Sequence, residues 1–321
     1  MKKTGAVRIA TRSSELALRQ ARMVEAALET RGLNCELVTF KTVGDKKLDE
    51  PLSEIGAKGL FTHELEVALA KKKVDCCVHS LKDLPTVLPD GLALGAILER
   101  EDPRDVVVIN AVTEAEDLAS LPAGSRVGTS SLRRRAQLRA MYPQLEVAEL
   151  RGNVPTRLRK VDTGKVHAAI LAAAGLIRLD AQQRIKQYLD PPAWLPAAGQ
   201  GAIAVEIRAD DEEMREIMSP LNHEPTAIAV RAERAFLDSL EGGCQVPIGA
   251  LAAPDVDGKL ILHGFVSDVR GRDIVRGSAP VDSASPEDSG RALAADLRTR
   301  GASSLLMELR NSGQLIAPQP E

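Results

Sequence analysis

Two hydrophobic rhythms alternate along the first half of the chain. Val7–Ala10 is a short apolar run that predicts a strand, and Thr11-Arg12-Ser13-Ser14 is a polar turn. From about Glu15 to Arg31, Ala17, Ala21, Val24 and Leu28 recur on one stripe at helical spacing, with Ser14 placed to cap the helix and Gly32 to end it. Residues 35–40 predict the next strand, about Leu60–Lys73 a second helix, and Val74–His79 a buried strand. This βαβαβ order implies a mostly parallel sheet. The pattern then returns, with a strand at Arg126–Gly128, a turn at Thr129-Ser130-Ser131 and a helix over about Leu132–Met141. A strand at Leu145–Leu150, a helix at Val154–Asp162 and a strand at Val166–Leu171 complete it. Both stretches place a Thr/Ser turn between first strand and first helix, so they are read as two related α/β lobes. The charged segment Glu99–Asp105 reads as the hinge and Pro191–Pro196 as a second boundary. After about Leu221 come a long helix (about Pro225–Leu240), strands near 246–252, 259–267 and 273–281, and a helix near 286–300. That order predicts a smaller C-terminal α+β domain.

With 321 residues, 44% of them hydrophobic, the chain can bury two or three cores. Its 42 basic and 45 acidic side chains leave a net charge of -3, which offers no global attraction to nucleic acid or an anionic membrane. One Trp, two Tyr and four Phe are too few for a base-stacking platform, so no nucleic-acid partner is expected. No stretch approaches the roughly 20 apolar residues of a membrane span, and the basic N-terminus is not followed by a signal-peptide core. Four cysteines are too few for a disulfide scaffold, and no Cys/His spacing points to zinc. A cytoplasmic protein without a metal is the expectation.

Charge is distributed unevenly. Between Arg126 and Lys160 nine basic residues face only Glu146 and Glu149, a local charge of +7 in an acidic chain. In open parallel sheets ligands bind beyond the carboxyl ends of the strands. Arg133, Arg134, Arg151 and Arg157 stand at or just after such ends, where helix-start N–H groups already attract anions and guanidinium forks match carboxylate or phosphate. Arg12 and Ser14 supply the matching turn in the first lobe. Arg135, Arg139, Arg159 and Lys160 read instead as a solvated helix face. His79-Ser80-Leu81-Lys82-Asp83-Leu84-Pro85 carries a base and an acid side by side where a buried strand meets a loop, suited to orienting a ligand or moving protons; a simple polar loop is the alternative, with His79 a core histidine. In Glu241-Gly242-Gly243-Cys244-Gln245 a single cysteine follows two glycines, where a thiol can act as a nucleophile or be a buried turn residue. Cys76 and Cys77, in an apolar strand, read as small hydrophobes.

Together these segments resemble the porphobilinogen deaminase (hydroxymethylbilane synthase) family over nearly the whole chain. The resemblance is carried by Arg8-Ile9-Ala10-Thr11-Arg12, Lys58-Gly59-Leu60-Phe61, His79–Asp83, Glu101-Asp102-Pro103-Arg104-Asp105, Gly128–Arg134, Leu150-Arg151-Gly152-Asn153, Gly199-Gln200-Gly201 and Glu241–Gly249. It implies two periplasmic-binding-protein-like lobes with mostly parallel sheets and a smaller C-terminal domain. Domain 1 would comprise 1–100 and 201–219, domain 2 105–196 and domain 3 221–315, with the chain crossing back into the first lobe. It implies head-to-tail condensation of four porphobilinogen molecules, with loss of ammonia from each, and release of a linear tetrapyrrole by a monomeric enzyme. A dipyrromethane cofactor would be held as a thioether on Cys244, and Asp83 would be the catalytic carboxylate, stabilising the positive charge that develops during condensation. Arg12, Ser14, Lys58, Lys82, Thr129, Ser130, Ser131, Arg133, Arg134, Arg151, Gly152, Asn153, Arg157, Arg178 and Gln200 would hold the acidic side chains of cofactor and substrate.

Two positions depart from the family pattern. Glu54 stands where relatives carry lysine, which puts a carboxylate contact from that loop in doubt. Pro155 stands where glycine is common; if Asn153 is the N-cap, Pro155 falls in the first helical turn, where its missing N–H costs little. Two rival readings use the same residues: a two-lobed solute-binding protein, which explains neither the third domain nor Cys244, and a cysteine-dependent acyl transferase acting through Cys244.

Overall fold

The computed structural model describes residues 5–42, 62–240 and 246–311. In the first lobe, β1 (Val7–Arg12), β2 (Cys35–Phe40), β3 (Cys76–Ser80), β4 (Leu92–Ile97) and β10 (Ile203–Arg208) form one sheet in the order β2-β1-β3-β10-β4. In the second, β5 (Asp105–Ile109), β6 (Arg126–Gly128), β7 (Glu146–Ala148), β8 (Ala168–Ala172) and β9 (Gln187–Leu189) form another in the order β7-β6-β8-β5-β9. The repeat seen in the sequence is thus a repeat of topology. Each sheet is parallel except for one strand, β10 in the first and β5 in the second. Both exceptions are the strands that the chain enters on crossing from the opposite lobe.

Helices α1 (Glu15–Glu29) and α2 (His63–Ala70) pack on the first sheet, and α3 (Leu132–Met141), α4 (Val154–Asp162) and α5 (Ala173–Arg178) belong to the second lobe. The predicted stripe of α1, Ala17, Ala21, Val24 and Leu28, is buried, the last three in one core with Val7, Ile9, Cys76 and Val78. Asn153 caps α4 by accepting from the Thr156 N–H at 2.9 Å, and Pro155 lies in the first turn, so it removes no ladder bond. After α6 (Glu212–Met218) and α7 (Glu224–Ser239), the antiparallel sheet β11 (Ile248–Pro254), β12 (Leu260–Ser267), β13 (Ile274–Pro280) is covered by α7 and α8 (Pro286–Leu297).

Several expectations are corrected. Arg12 closes β1 rather than opening the turn, because β2 pairs with β1 through Arg12↔Phe40. The helix expected to run to Lys73 ends at Ala70, and Lys72 turns left-handed with φ 58. Asp105, read as hinge, opens β5, where the apolar run Val106–Ile109 is buried on both faces. The helix expected to stop near 300 bends at Gly301 (φ 111) and resumes as α9 (Ser303–Asn311).

The joints are tightly built. Gly201 has φ +90, and a Cβ there would lie 2.3 Å from the Glu101 carbonyl oxygen, so the two crossing segments touch backbone to backbone. Glu233 of α7, fully buried, accepts both guanidinium forks of Arg100 at 2.6 and 3.1 Å. The same carboxylate accepts the backbone N–H of Gly199 at 2.7 Å and of Ala252 at 2.8 Å. One acid therefore ties both crossovers to the C-terminal sheet. Among the described residues no helix is long and apolar enough to cross a membrane.

Candidate active site

One cleft between the lobes gathers much of the predicted chemistry. Gln20, Ser80 and Lys82 line it from the first lobe, Gln200 from the returning crossover, and Arg134, Arg157 and Arg178 from the second. Local structure explains these placements. Beyond β3 the chain tightens into a 3-10 turn, Leu81–Asp83, with Leu81 buried and Lys82 and Asp83 half-buried. Arg178 ends α5 and reaches the Gly201 carbonyl at 2.6 Å, and Arg157 donates through Nε to the Gly152 carbonyl at 2.7 Å. Gly152 has φ +111, and a Cβ there would meet Thr156 Cγ2 at 2.7 Å, so this turn requires glycine.

A hydrogen-bonded chain runs behind the cleft. Lys82 Nζ donates to Gln200 Oε1 at 3.2 Å, and Gln200 Nε2 donates to Asp105 Oδ1 and the Pro103 carbonyl, each at 2.8 Å. Asp105, fully buried, also accepts from Arg133 Nη1 at 2.6 Å, Arg134 Nη2 at 2.7 Å and Trp194 Nε1 at 2.9 Å. Burial alone would raise the Asp105 pKa, but the charges and hydrogen bonds of Arg133 and Arg134 overcome it and hold the carboxyl well below the usual range. Burial also pushes the Lys82 ammonium down to about 8, against the attraction of Asp83, and Arg157 down to about 10, with repulsion from Arg134 adding to it.

The cleft is therefore rich in cations and poor in acceptors. Arg134 Nε, Arg151 Nη1 and Arg178 Nε are buried without a hydrogen-bond partner among the described residues. Buried guanidinium N–H groups are expensive to leave unmatched, so this arrangement favours a ligand that brings several anionic oxygens. The dipyrromethane with acidic side chains that the sequence resemblance implies fits that donor set.

The predicted residues divide by what their side chains touch. Lys82, Arg134, Arg157, Arg178 and Gln200 share the cleft, and the charges of Asp83 and Arg151 both act on Arg157. Ser14, Ser131 and Asn153 accept the N-cap bonds of α1, α3 and α4. Ser130 donates to the Leu150 carbonyl at 2.7 Å, and Thr129 is buried with its hydroxyl accepting the Ser131 N–H at 3.2 Å. Arg12 is half-buried at the end of β1. Arg133 lies behind the cleft, its Nη1 shared between Asp105 and the Leu195 carbonyl at 2.6 Å each. Lys58, Cys244 and Glu54 lie outside the described residues. Of the basic helix face expected to be solvated, Arg139 and Arg159 are exposed, Arg139 donating to the Val269 carbonyl at 2.7 Å, whereas Arg135, paired with Glu149, and Lys160, which donates to the Arg151 carbonyl at 3.0 Å, are half-buried. A roomier groove lined by Arg126, Glu149, Lys160 and Lys165 contains none of the predicted site residues.

Gln20, Asp105 and Trp194 are members of the site that sequence reasoning missed. The available signal was the β-branched run Val106-Val107-Val108-Ile109, which marks a strand beginning at the charged segment rather than a hinge ending there.

The position of Lys82 makes a pH prediction. Between about 8 and its ordinary 10.5 the folded chain binds fewer protons at Lys82 than the unfolded chain does, so this group makes stability rise with pH across that window. The charge it offers an anion falls over the same window. Affinity for a pyrrole carboxylic acid, measured by calorimetry, is expected to weaken as pH rises through about 8, and Lys82→Arg is expected to remove that inflection. Equal wild-type affinity on both sides of pH 8 would separate Lys82 from anion binding.

Two lobes of matching topology, joined by a double crossover and closing on a cationic cleft, define a two-lobed small-molecule protein with an added third domain. The family described as "Porphobilinogen deaminase, dipyromethane cofactor binding domain" matches residues 7–216, and "Porphobilinogen deaminase, C-terminal domain" matches residues 227–299. The chain is 53% identical to the porphobilinogen deaminase of Moorella thermoacetica, over 95% of this chain and 96% of that one. It is 50% identical to that of Syntrophobacter fumaroxidans, over 94% and 97%. Among solved structures, the methionine-binding protein MetQ aligns with a TM-score of 0.43 at 16% identity, over 67% of this chain and 89% of that chain. The chain belongs to the porphobilinogen deaminase family, and its first two lobes are that family's dipyrromethane cofactor-binding domain.

Proposed function

We propose that this enzyme is a hydroxymethylbilane synthase, a transferase that joins four porphobilinogen molecules head to tail, releases ammonia from each, and frees the linear tetrapyrrole by hydrolysis. The observation that carries this reading is the set of buried guanidinium groups from one lobe facing Lys82 and Gln200, with Asp83 beside them. Lys82, Arg134, Arg151, Arg157 and Arg178 hold acetate and propionate groups, each charge-assisted hydrogen bond contributing roughly 1.5–3 kcal/mol. Arg12, Ser14, Lys58, Thr129, Ser130, Ser131, Gly152 and Asn153 complete the grip; at the capped starts of α1, α3 and α4 the backbone N–H groups do so as much as the side chains. Arg133 acts from behind, by orienting Asp105. The dipyrromethane, anchored through Cys244, supplies an electron-rich terminal pyrrole carbon as the acceptor for chain growth.

Asp83 places a carboxylate where positive charge develops on a pyrrole as its aminomethyl group loses ammonia, and it can exchange protons there. The reading divides the chain into domain 1 (1–100 and 201–219), domain 2 (105–196) and domain 3 (221–315), supported by the three separate sheets. It places a monomer in the cytoplasm. Cys244→Ser tests it most simply: purified from cells that make porphobilinogen, the variant is expected to carry no stable adduct and to release no tetrapyrrole. Full turnover by that variant would remove the anchor from the mechanism.

A further inference from the structure

Beneath the Ser80–Asp83 turn, on the face of the first sheet covered by α2, lies a second cluster of chemically capable side chains. Cys77 and His79 are two residues apart on β3 and so project from one face. The antiparallel register sets Glu206 of β10 directly opposite Cys77. Cys77 Sγ, a ring nitrogen of His79 and a carboxylate oxygen of Glu206 all lie within 4.8 Å of one another. From α2 the Leu65 carbonyl accepts from Cys77 Sγ at 3.5 Å, and the charges of Glu206 and His79 both act on the neighbouring Glu66. All four side chains are closed to solvent, with relative exposures of 0% for Cys77, 5% for His79, 6% for Glu66 and 0% for Glu206.

The charge balance of this cluster is incomplete. His79 Nε2 shares a 3.1 Å hydrogen bond with Glu206 Oε2, but Glu206 Oε1 and Glu66 Oε1 are buried without a partner among the described residues. Arg208 on the same strand is engaged elsewhere, by Asp211 and by the carbonyls of Leu69 and Val74 at 3.2 and 2.9 Å. His63, at the start of α2, adds only a through-space attraction on Glu66. Two buried carboxylates with orphaned oxygens, a thiol and an imidazole are the donors that a cation of intermediate softness selects; magnesium or calcium would take oxygen ligands alone.

We propose that this pocket binds a divalent transition metal ion of the zinc class, with Cys77, His79 and Glu206 as ligands and Glu66 as the fourth. Donor atoms around a tetrahedral zinc are about 3.4–3.8 Å apart given its usual bond lengths, so Cys77, His79 and Glu206, already within 4.8 Å of one another, need to draw together by only about 1 Å. On binding, the thiol proton of Cys77 leaves to solvent, and His79 binds as the neutral imidazole with its ring proton on the nitrogen away from the ion. None of the four ligands lines the cleft, so the ion takes no part in condensation. It braces the end of β3, three and four residues ahead of Lys82 and Asp83. Sequence spacing conceals the site because its ligands come from α2, β3 and β10.

The test uses the full-length, cofactor-loaded protein. After treatment with a chelator and dialysis against zinc, one tightly held equivalent per chain is expected. Cobalt(II) in its place is expected to give a thiolate-to-metal charge-transfer absorption. Cys77→Ala is expected to abolish that absorption and weaken zinc binding more than about 100-fold, beyond the 10–100-fold typical of an outer-shell partner. Cys35→Ser is expected to change neither. Absence of the cobalt band in the wild type, its persistence in Cys77→Ala, or its loss in Cys35→Ser would each overturn the proposal, and the wild-type spectrum decides even where Cys77→Ala fails to fold.

Discussion

Asp83→Asn is expected to fold, to retain its bound primer and to lose about 10²–10⁴-fold in turnover, the range attributed to a positioned acid–base or charge-stabilising group. Asparagine preserves the shape of the side chain and its hydrogen-bonding capacity but removes the negative charge set against a developing cation. Asp83 closes a turn pinned by buried Leu81, so the replacement has little reason to move the backbone. The same substitution has a second readout. The charge of Asp83 raises the Lys82 pKa against burial, so its removal is expected to move the Lys82 titration below about 8. Steady-state formation of tetrapyrrole and the pH dependence of pyrrole-acid binding measure the two effects. A rate within a few-fold of wild type would exclude Asp83 from the chemistry.

Asp105→Asn is expected to be the most destabilising conservative change in the site, at about 3–5 kcal/mol, because it strands Arg133 and Arg134 as uncompensated buried charges. The folded-state pKa of Asp105 lies below its unfolded value. Its contribution to stability is therefore complete above the ordinary aspartate pKa of about 3.9 and is lost as pH falls from there toward the folded pKa. Denaturant unfolding at neutral pH, followed through Trp194, whose indole N–H bonds to the same carboxylate, reports the effect directly. A loss below about 1 kcal/mol would mean that Asp105 is not the hub of the network.

How far the sequence speaks for this protein depends on the range of the interaction concerned. Local signals hold well: α3 and α4 have the predicted bounds, Asn153 and Ser14 cap as expected, and Pro155 fits the first turn. These features are set by neighbours within one helical turn. Long-range partnership is not legible in the same way. Nothing near Arg133 and Arg134 announces that their fork partner is Asp105, 28 and 29 residues earlier, so two adjacent arginines that looked equivalent have different surroundings. Arg134 lines the cleft, and Arg133 supports it from behind. The strands β5 and β10 were obscured for a related reason. Each enters its sheet antiparallel from the opposite lobe, whereas the βαβ pattern announces only the parallel core. Arg100, read as part of a charged hinge, owes its place to Glu233 of a helix 133 residues away.

Covalent attachment of the primer is the point on which the proposed chemistry turns, and the intact mass of the wild-type chain tests it most directly. Protein purified from cells that synthesise porphobilinogen and weighed under denaturing conditions is expected to exceed the bare 34.4 kDa sequence by the mass of a two-ring unit. A fully active preparation weighing no more than its amino acids would contradict the account.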